Sequence, residues 1–240
     1  MTYGALSGKA AVYTAIFGDY DAYKEPPAGD YDLFLITDRP ELYSPAHAQV
    51  IQVPESFDHR PDCDSWSSLD STRRARFWKI CSHLPCNPVS AYEYSLWLDA
   101  SFELPTLDVQ AMIKKYLNGA EVALPRHPWI DCIYWGGERA IELSKEDPTV
   151  IRAHLTRYRD AGYPAHRGLG ETRILLRRHT PTIARFNEFW WNELRTGSKR
   201  DQVSFNYCID TLRVPVAYFE KPRGEEFGFI VKPHRNGTRS

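Results

Sequence analysis

The chain has 240 residues, 42% of them hydrophobic, and its 30 basic and 31 acidic side chains leave a formal net charge of -1. That length can bury a sizeable core as one large α/β domain or two small ones, and the balanced charge excludes a global pull toward nucleic acid or an anionic membrane, so any anion site has to be local. Five scattered cysteines without a C-x-x-C pair argue against a disulfide framework and a zinc site, and no stretch approaches the roughly 18 apolar residues of a membrane span.

Residues 10–21, AAVYTAIFGDYD, are an apolar, β-branched and aromatic run that stops at Gly18 and the carboxylates Asp19 and Asp21, which reads as a strand ending in a polar loop. YDLFLITD at 31–38 repeats the form and ends on Asp38, and AQVIQV at 48–53 is a third, shorter strand. Residues 54–69 are rich in Pro, Asp and Ser and read as a surface loop. Asp70 or Ser71 can then cap a helix, STRRARFWKICSHL, over 71–84. A strand follows at 94–98, then a helix from about Thr106 to a stop at Gly119, then a strand at 120–125. A helix over 147–162 puts Ile151, Leu155 and Tyr158 on one face, and 171–178 is a strand. Thr180 as cap and Pro181 at the first helical position begin a helix that buries Ile183, Phe186, Trp190 and Leu194. The last helix, 200–213, carries Phe205, Cys208, Ile209 and Leu212 on one face, and 214–220 closes as a strand. Strands and helices alternate without an internal repeat, which predicts an α/β fold with a mostly parallel central sheet flanked by helices, as a single domain over 1–240.

The helix at 71–84 carries the most chemical information. Arg73, Arg76, Lys79 and His83 are spaced three, three and four apart, which places them on one helical face beside an apolar face of Phe77, Ile80, Cys81 and Leu84. A stripe of cations on a fixed scaffold is what a diphosphate needs, with Arg able to bind bidentately; a solvated basic face is the plainer reading of the same spacing. In SLWLDASFELP at 95–105, Asp99 stands where a strand ends, and Ser101 follows two residues later. A D-x-D in that place holds a divalent ion against a diphosphate, since a hard cation takes oxygen ligands; here one carboxylate is replaced by a hydroxyl. Asp201 opens the last helix, where it can serve as a cap or face an acceptor hydroxyl. His127 and Asp131 stand close together in HPWIDCIYW, Glu171 follows the Gly-rich GYPAHRGLG, and His179 and His234 follow later strands.

Taken in order, YTAIFGDYD, FLITD, the spaced cations, WLDAS, RHPWIDCIYW, GLGETRILLRRH, WWNE and RDQVSFNY resemble the glycosyltransferase-like family catalogued as domain of unknown function 616, whose plant relatives act in seed mucilage and pollen-tube turgor. The resemblance runs from about residue 11 to 213. It implies a GT-A-type domain that takes a nucleotide-diphospho-sugar and passes the sugar, of hexosyl or deoxyhexosyl type, to a glycan acceptor. On that model Thr14, Phe17, Gly18 and Asp19 cradle base and ribose with Asp38 nearby, and Arg73, Arg76, Lys79 and His83 approach the diphosphate. Asp99 and Ser101 stand at the D-x-D-like element, where members often have a residue other than Asp third. They hold Mn²⁺ or Mg²⁺, with His234 as a late ligand. Glu171, Arg200, Asp201 and Gln202 face donor sugar and acceptor. Asp201 is then the first choice of catalytic base, with Glu171 and Asp131 in reserve.

Other functions stay open at this level. A Mg²⁺-dependent phosphohydrolase would use Asp99 as nucleophile or ligand, and a non-catalytic sugar- or nucleotide-binding module would use the same aromatics and cations without turnover. The first residues lack a basic segment followed by a long apolar one, so the expected location is cytoplasmic, with weak membrane association possible only through a lipid-linked acceptor. The N-G-T at 236–238 is accordingly not expected to carry a glycan.

Overall fold

A computed structural model describes residues 6–18, 21–57 and 66–231. Strands β1 (Leu6–Ile16), β2 (Asp32–Thr37) and β3 (Gln49–Gln52) precede helix α1 (Ser71–Ile80), strand β4 (Tyr92–Leu98) and the short β5 (Phe102–Glu103). Helix α2 (Val109–Tyr116), strand β6 (Val122–Leu124), helices α3 (Ile133–Glu142) and α4 (Pro148–Asp160) and strand β7 (Ile174–Arg178) follow. Helices α5 (Pro181–Thr196) and α6 (Asp201–Leu212) and strands β8 (Val216–Tyr218) and β9 (Ile230–Val231) complete the order.

Seven strands form one sheet in the order β3-β2-β1-β4-β7-β6-β8, and β5 pairs with β9 in a separate two-stranded sheet. All neighbours in the large sheet run parallel except those of β7, which is antiparallel to both β4 and β6. This is the expected α/β architecture. The chain winds outward from β1 through β2 to β3 and then returns to place β4 on the other side of β1. Such a reversal opens a crevice at the carboxyl ends of β1 and β4, where ligands of open α/β sheets bind.

The central strands are buried on both faces, so their residues alternate between two cores. Ala11 and Tyr13 of β1, Trp97 of β4 and Leu175 of β7 face a core shared with Phe77, Trp78, Phe186, Trp190 and Phe205 of α1, α5 and α6. Ala10 and Val12, Leu96 and Leu98, and Ile174 and Leu176 face the opposite core, closed by Val109, Met112 and Tyr116 of α2 with Phe102 and Phe229.

Three expectations are corrected. Helix α1 ends at Ile80, not Leu84: Asn87 Nδ2 donates to the carbonyls of Trp78 (2.8 Å) and Cys81 (3.4 Å), supplying partners a longer helix would have supplied itself. The helix expected from Thr106 starts at Val109, because the Asp108 side chain accepts the Ala111 N–H as its cap. Helix α3, which no sequence signal announced, runs through Gly136 and Gly137, where a Cβ would lie 2.9 Å from Leu169 Cδ2 and 2.5 Å from Leu155 Cδ1. The glycines permit close approach of neighbouring elements and do not break the helix.

Candidate functional site

Helix α1 is held to the sheet by buried polar groups at its end. Arg177 of β7, fully buried, donates from Nη2 to the Lys79 carbonyl (2.7 Å) and from Nη1 to the Ile80 carbonyl (3.3 Å), and Tyr13 Oη donates to the same Lys79 carbonyl (2.9 Å). Asp70 caps the other end by accepting from Arg73 N (2.8 Å). The helix is thus pinned across β1 and β7, and its Arg76 and Lys79 side chains lie between two carboxylates from distant parts of the chain.

Those carboxylates are Asp99, just past β4, and Asp201, first residue of α6. Lys79 Nζ donates to Asp201 Oδ2 at 2.7 Å and stands 3.6 Å from Asp99 Oδ1. Arg76 Nε is 3.3 Å from Asp201 Oδ2 and its Nη1 is 3.6 Å from Asp99 Oδ1. Trp97 Nε1 donates to Asp99 Oδ1 (2.6 Å), and Thr172 Oγ1 donates to Asp201 Oδ2 (2.8 Å). Burial alone would raise the Asp201 carboxyl, but Arg76, Lys79 and Arg200 outweigh it and hold the group well below the usual carboxylate range. Burial pulls the Lys79 ammonium below its ordinary value, while Asp201 and Asp99 pull it back.

Glu171 lies one residue before Thr172, and the Asp99 N–H donates to the Arg173 carbonyl (2.9 Å), so the segment 171–173 bridges the two carboxylates. Glu171 is buried; Oε1 accepts from Arg173, and Oε2 has no hydrogen-bond partner among the described residues. Ser101 Oγ, Thr14 Oγ1 and Tyr23 Oη are likewise buried and without partners among the described residues. Thr14 and Tyr23 line a narrow cleft together with Lys24, Asp99 and Ala100. Polar atoms left in this state cost free energy unless a ligand or water completes them. Four of them stand beside the ends of β1 and β4 or on the segment leading into β7.

The sequence expectations divide accordingly. Asp99, Ser101, Thr14, Arg76, Lys79, Glu171 and Asp201 are brought to this edge, with Arg200 beside Asp201 and Gln202 Nε2 donating to the Gly170 carbonyl (3.3 Å). The basic face stops short of His83, and its members are engaged with carboxylates and carbonyls. Lys79 is fully buried as a tie between carboxylates, and Arg73 is drawn to Asp70 (3.1 Å), the Gly197 carbonyl (3.0 Å) and Glu146 (3.8 Å). His83 lies beyond α1, 3.6 Å from Glu188 of α5, and acts on His179, which contacts Ser95 midway along β4 and away from Asp99. Phe17 belongs to the core, edge-on to Trp66 at 5.5 Å, and Asp38 is occupied by the Gly18 N–H (3.0 Å), fixing the left-handed turn there (φ 64°). Asp131 is on the loop before α3, mostly exposed and paired with His166 at 2.9 Å. Asp19, His234 and the N-G-T lie outside the described residues. Trp97, Thr172, Arg173 and Tyr23 were missed: nothing in their own spacing sets them apart from core or loop residues.

No three His, Cys, Asp or Glu side chains are grouped to hold a metal ion among the described residues. Magnesium-type sites seldom need such a cage, since they take one or two carboxylates and leave the remaining positions to substrate phosphates and water. Asp99 with the unsatisfied Ser101 hydroxyl fits that pattern.

Comparison with known proteins follows the same lines. The chain is 23% identical over 257 residues to the alkaline ceramidase TOD1 of Arabidopsis thaliana, covering 95% of this chain and 54% of that protein. It is 29% identical over 129 residues to the probable hexosyltransferase MUCI70 of Arabidopsis thaliana, covering 50% of this chain and 22% of that protein. The chain therefore spans about half the length of the first relative and about a fifth of the second. Among solved structures, the mannosyltransferase Ktr4p of S. cerevisiae is similar with a TM-score of 0.46 at 10% identity, covering 90% of this chain and 69% of that one. That likeness is too loose to carry residue roles across. The model of the TOD1/MUCI70 glycosyltransferase-like domain matches residues 70–231, and the chain belongs to that family.

Proposed function

We propose that the chain is a glycosyltransferase domain that takes a nucleotide-diphospho-sugar and passes its sugar to a glycan acceptor, with residues 1–240 acting as one catalytic unit. The observation that carries this reading is the set of buried polar atoms without partners among the described residues: those of Thr14 and Tyr23, which line a β1–β4 cleft with Asp99, and those of Ser101, two residues past Asp99, and Glu171, on the segment hydrogen-bonded to Asp99. They supply hydroxyl and carboxylate contacts of the kind a ribose, a sugar and a diphosphate require.

In this reading Thr14 and Tyr23 contact the nucleoside, and Asp99 with Ser101 meets the diphosphate end. Those two residues would hold a Mg²⁺ or Mn²⁺ ion, which when bound offsets the charge developing on the leaving diphosphate. Arg76, whose side chain is 15% exposed, reaches the same region directly. Lys79 and Asp201 position Arg76 and Asp99 from below. Asp201 is a poor base because three groups already occupy it and its neighbours hold it ionised at low pH. Glu171, with one oxygen unspent, is the better candidate to take the acceptor hydroxyl proton.

A phosphohydrolase built on Asp99 would want a second carboxylate two residues on, where Ser101 stands. The test is thermal unfolding against nucleoside diphosphates and nucleotide sugars, each with and without Mn²⁺ or Mg²⁺, for the wild type and Asp99→Asn. A ligand at about 100 times its dissociation constant stabilises by about 2.7 kcal/mol, which is roughly 5–11 °C for a chain of this size. A base-selective shift lost in Asp99→Asn supports the reading. No shift with any nucleotide, or fatty-acid release from ceramide (the reaction one relative's name describes), would sink it.

A further inference from the structure

We infer that Trp129 and Trp135 form a carbohydrate platform on which the acceptor glycan stacks, at the rim of the proposed transfer site. The inference rests on the transferase reading and adds where the acceptor lies and which side chains hold it. Five of the seven tryptophans are buried in cores, whereas Trp129 is 76% exposed and Trp135 is 59% exposed. Two indoles in water within seven residues of each other forgo the burial that their size would otherwise give them.

Each indole stands beside a histidine of its own. Trp135, in the first turn of α3, meets the His166 ring edge-on at 5.0 Å. His166 Nδ1 pairs with Asp131 Oδ1 at 2.9 Å, and the His127 ring stands 6.0 Å from that of Trp129. His127 Nδ1 also accepts the Trp129 and Ile130 N–H groups (3.3 and 3.1 Å), so the turn that presents Trp129 is built and not merely loose. His166 adopts a left-handed backbone (φ 58°), a conformation uncommon outside glycine, and this places its ring between Trp135 and Asp131.

The platform is continuous with the site. His127 N donates to the Leu169 carbonyl (2.8 Å), Gly168 N to the Asp131 carbonyl, and Glu171 N to the Pro125 carbonyl (2.8 Å). The loop bearing Trp129 is thereby laced to the segment that ends on Glu171, the proposed base.

The occupant is read from the chemistry of the patch. Flat apolar faces alternating with imidazole and carboxylate groups suit a sugar chain, which offers C–H faces and hydroxyls in turn. An anionic membrane surface would call for uncommitted cations around the aromatics. Here Arg126 lies over the Tyr218 ring (4.2 Å), and Arg167 meets Asp210 (3.1 Å), Arg152 meets Glu138 (3.2 Å) and Arg139 meets Glu142 (2.7 Å).

Acrylamide quenching of tryptophan fluorescence reads these two residues preferentially, because the other five are buried. The probes are mannotetraose, xylotetraose and cellotetraose, with phosphatidylserine–phosphatidylcholine vesicles as the lipid arm, on the wild type, Trp129→Ala, Trp135→Ala and the double variant. The expected result is shielding by at least one oligosaccharide, with affinity (by calorimetry) weakened roughly tenfold for each ring removed. The nucleotide-induced melting shift stays unchanged in all variants. Shielding by vesicles and not by sugars, shielding by none, or equal sugar affinity in the double variant overturns the inference. A nucleotide shift that persists in the wild type while sugars fail removes the platform alone and leaves the donor reading standing.

Discussion

Replacing Asp201 with asparagine removes the charge that Lys79 faces at 2.7 Å and Arg76 at 3.3 Å, in a place where both Asp201 and Lys79 are essentially inaccessible to water. Lys79 then keeps only Asp99, 3.6 Å away, as a counter-ion. Breaking a buried pair from one side costs about 3–5 kcal/mol, because the remaining ion has already lost its hydration. At roughly 2–4 °C per kcal/mol for this chain length, the melting temperature should fall by about 6–20 °C. Substituting both members, Lys79→Met with Asp201→Leu, removes the unpaired charge and should recover most of that loss, since apolar replacements of buried pairs are often neutral. Calorimetric unfolding of Lys79→Met, Asp201→Leu and the double variant that combines them gives the coupling directly. A loss under about 1 kcal/mol in Asp201→Asn, or strict additivity in the double variant, would refute the claim that this pair supports the site. The pH dependence has a defined sign. The folded Asp201 carboxyl sits below its unfolded value, so its contribution is complete above about pH 4 and is lost as pH falls toward the folded value, where the unfolded chain binds more protons.

Glu171→Gln should lower transfer by roughly 100-fold or more, the usual loss when a general base is removed, while leaving the nucleotide-induced melting shift in place; turnover with an intact shift is the pair of readings to compare. Phe17→Ala should cost about 3–5 kcal/mol in chemical denaturation, because Phe17 is buried against Trp66. His83→Ala should leave turnover unchanged and cost about 1–3 kcal/mol, since it truncates a mostly buried ring beside Glu188. A turnover defect in His83→Ala would restore the continuous basic face that the structure breaks up.

Much of the scaffold was legible because its signals are local. The apolar runs of β1, β2 and β4, the Thr180–Pro181 start of α5 and the Asp70 cap of α1 each follow from chemistry within a few residues. What was illegible depended on distant partners. The four-residue step from Lys79 to His83 continues a helical stripe, but the Asn87 amide and the Pro85–Pro88 segment end the helix between them. Helix α3 had no local signal, and its Gly136 and Gly137 take their meaning from Leu169 and Leu155 packed against them. The direction of β7 depends on the sheet it joins, and its own residues read the same either way.

The site itself shows the same limit in chemical form. Sequence identified the right residue types at the strand ends, yet it could not tell which of three carboxylates had lone pairs to spare. Asp201 attracts attention because it opens a helix, but it meets Lys79, which lies 122 positions earlier, and Arg76 and Thr172 as well. All three contacts fall on its Oδ2 and hold the carboxylate as part of the framework. Glu171 lies in a less conspicuous motif, and only one of its oxygens is used, by an arginine two residues later. A base must accept a proton from something that arrives, so the carboxylate paired with one arginine is a stronger candidate than the one surrounded by three cations, even though it is equally buried. Asp99 falls between these cases. Trp97, Arg76 and Lys79 crowd one oxygen, which fixes the orientation of the group at the cleft where Thr14 and Tyr23 wait unpartnered among the described residues. The division of labour among the three carboxylates is therefore set by how fully each is already bonded, a property that belongs to the folded network and not to any one segment of the chain.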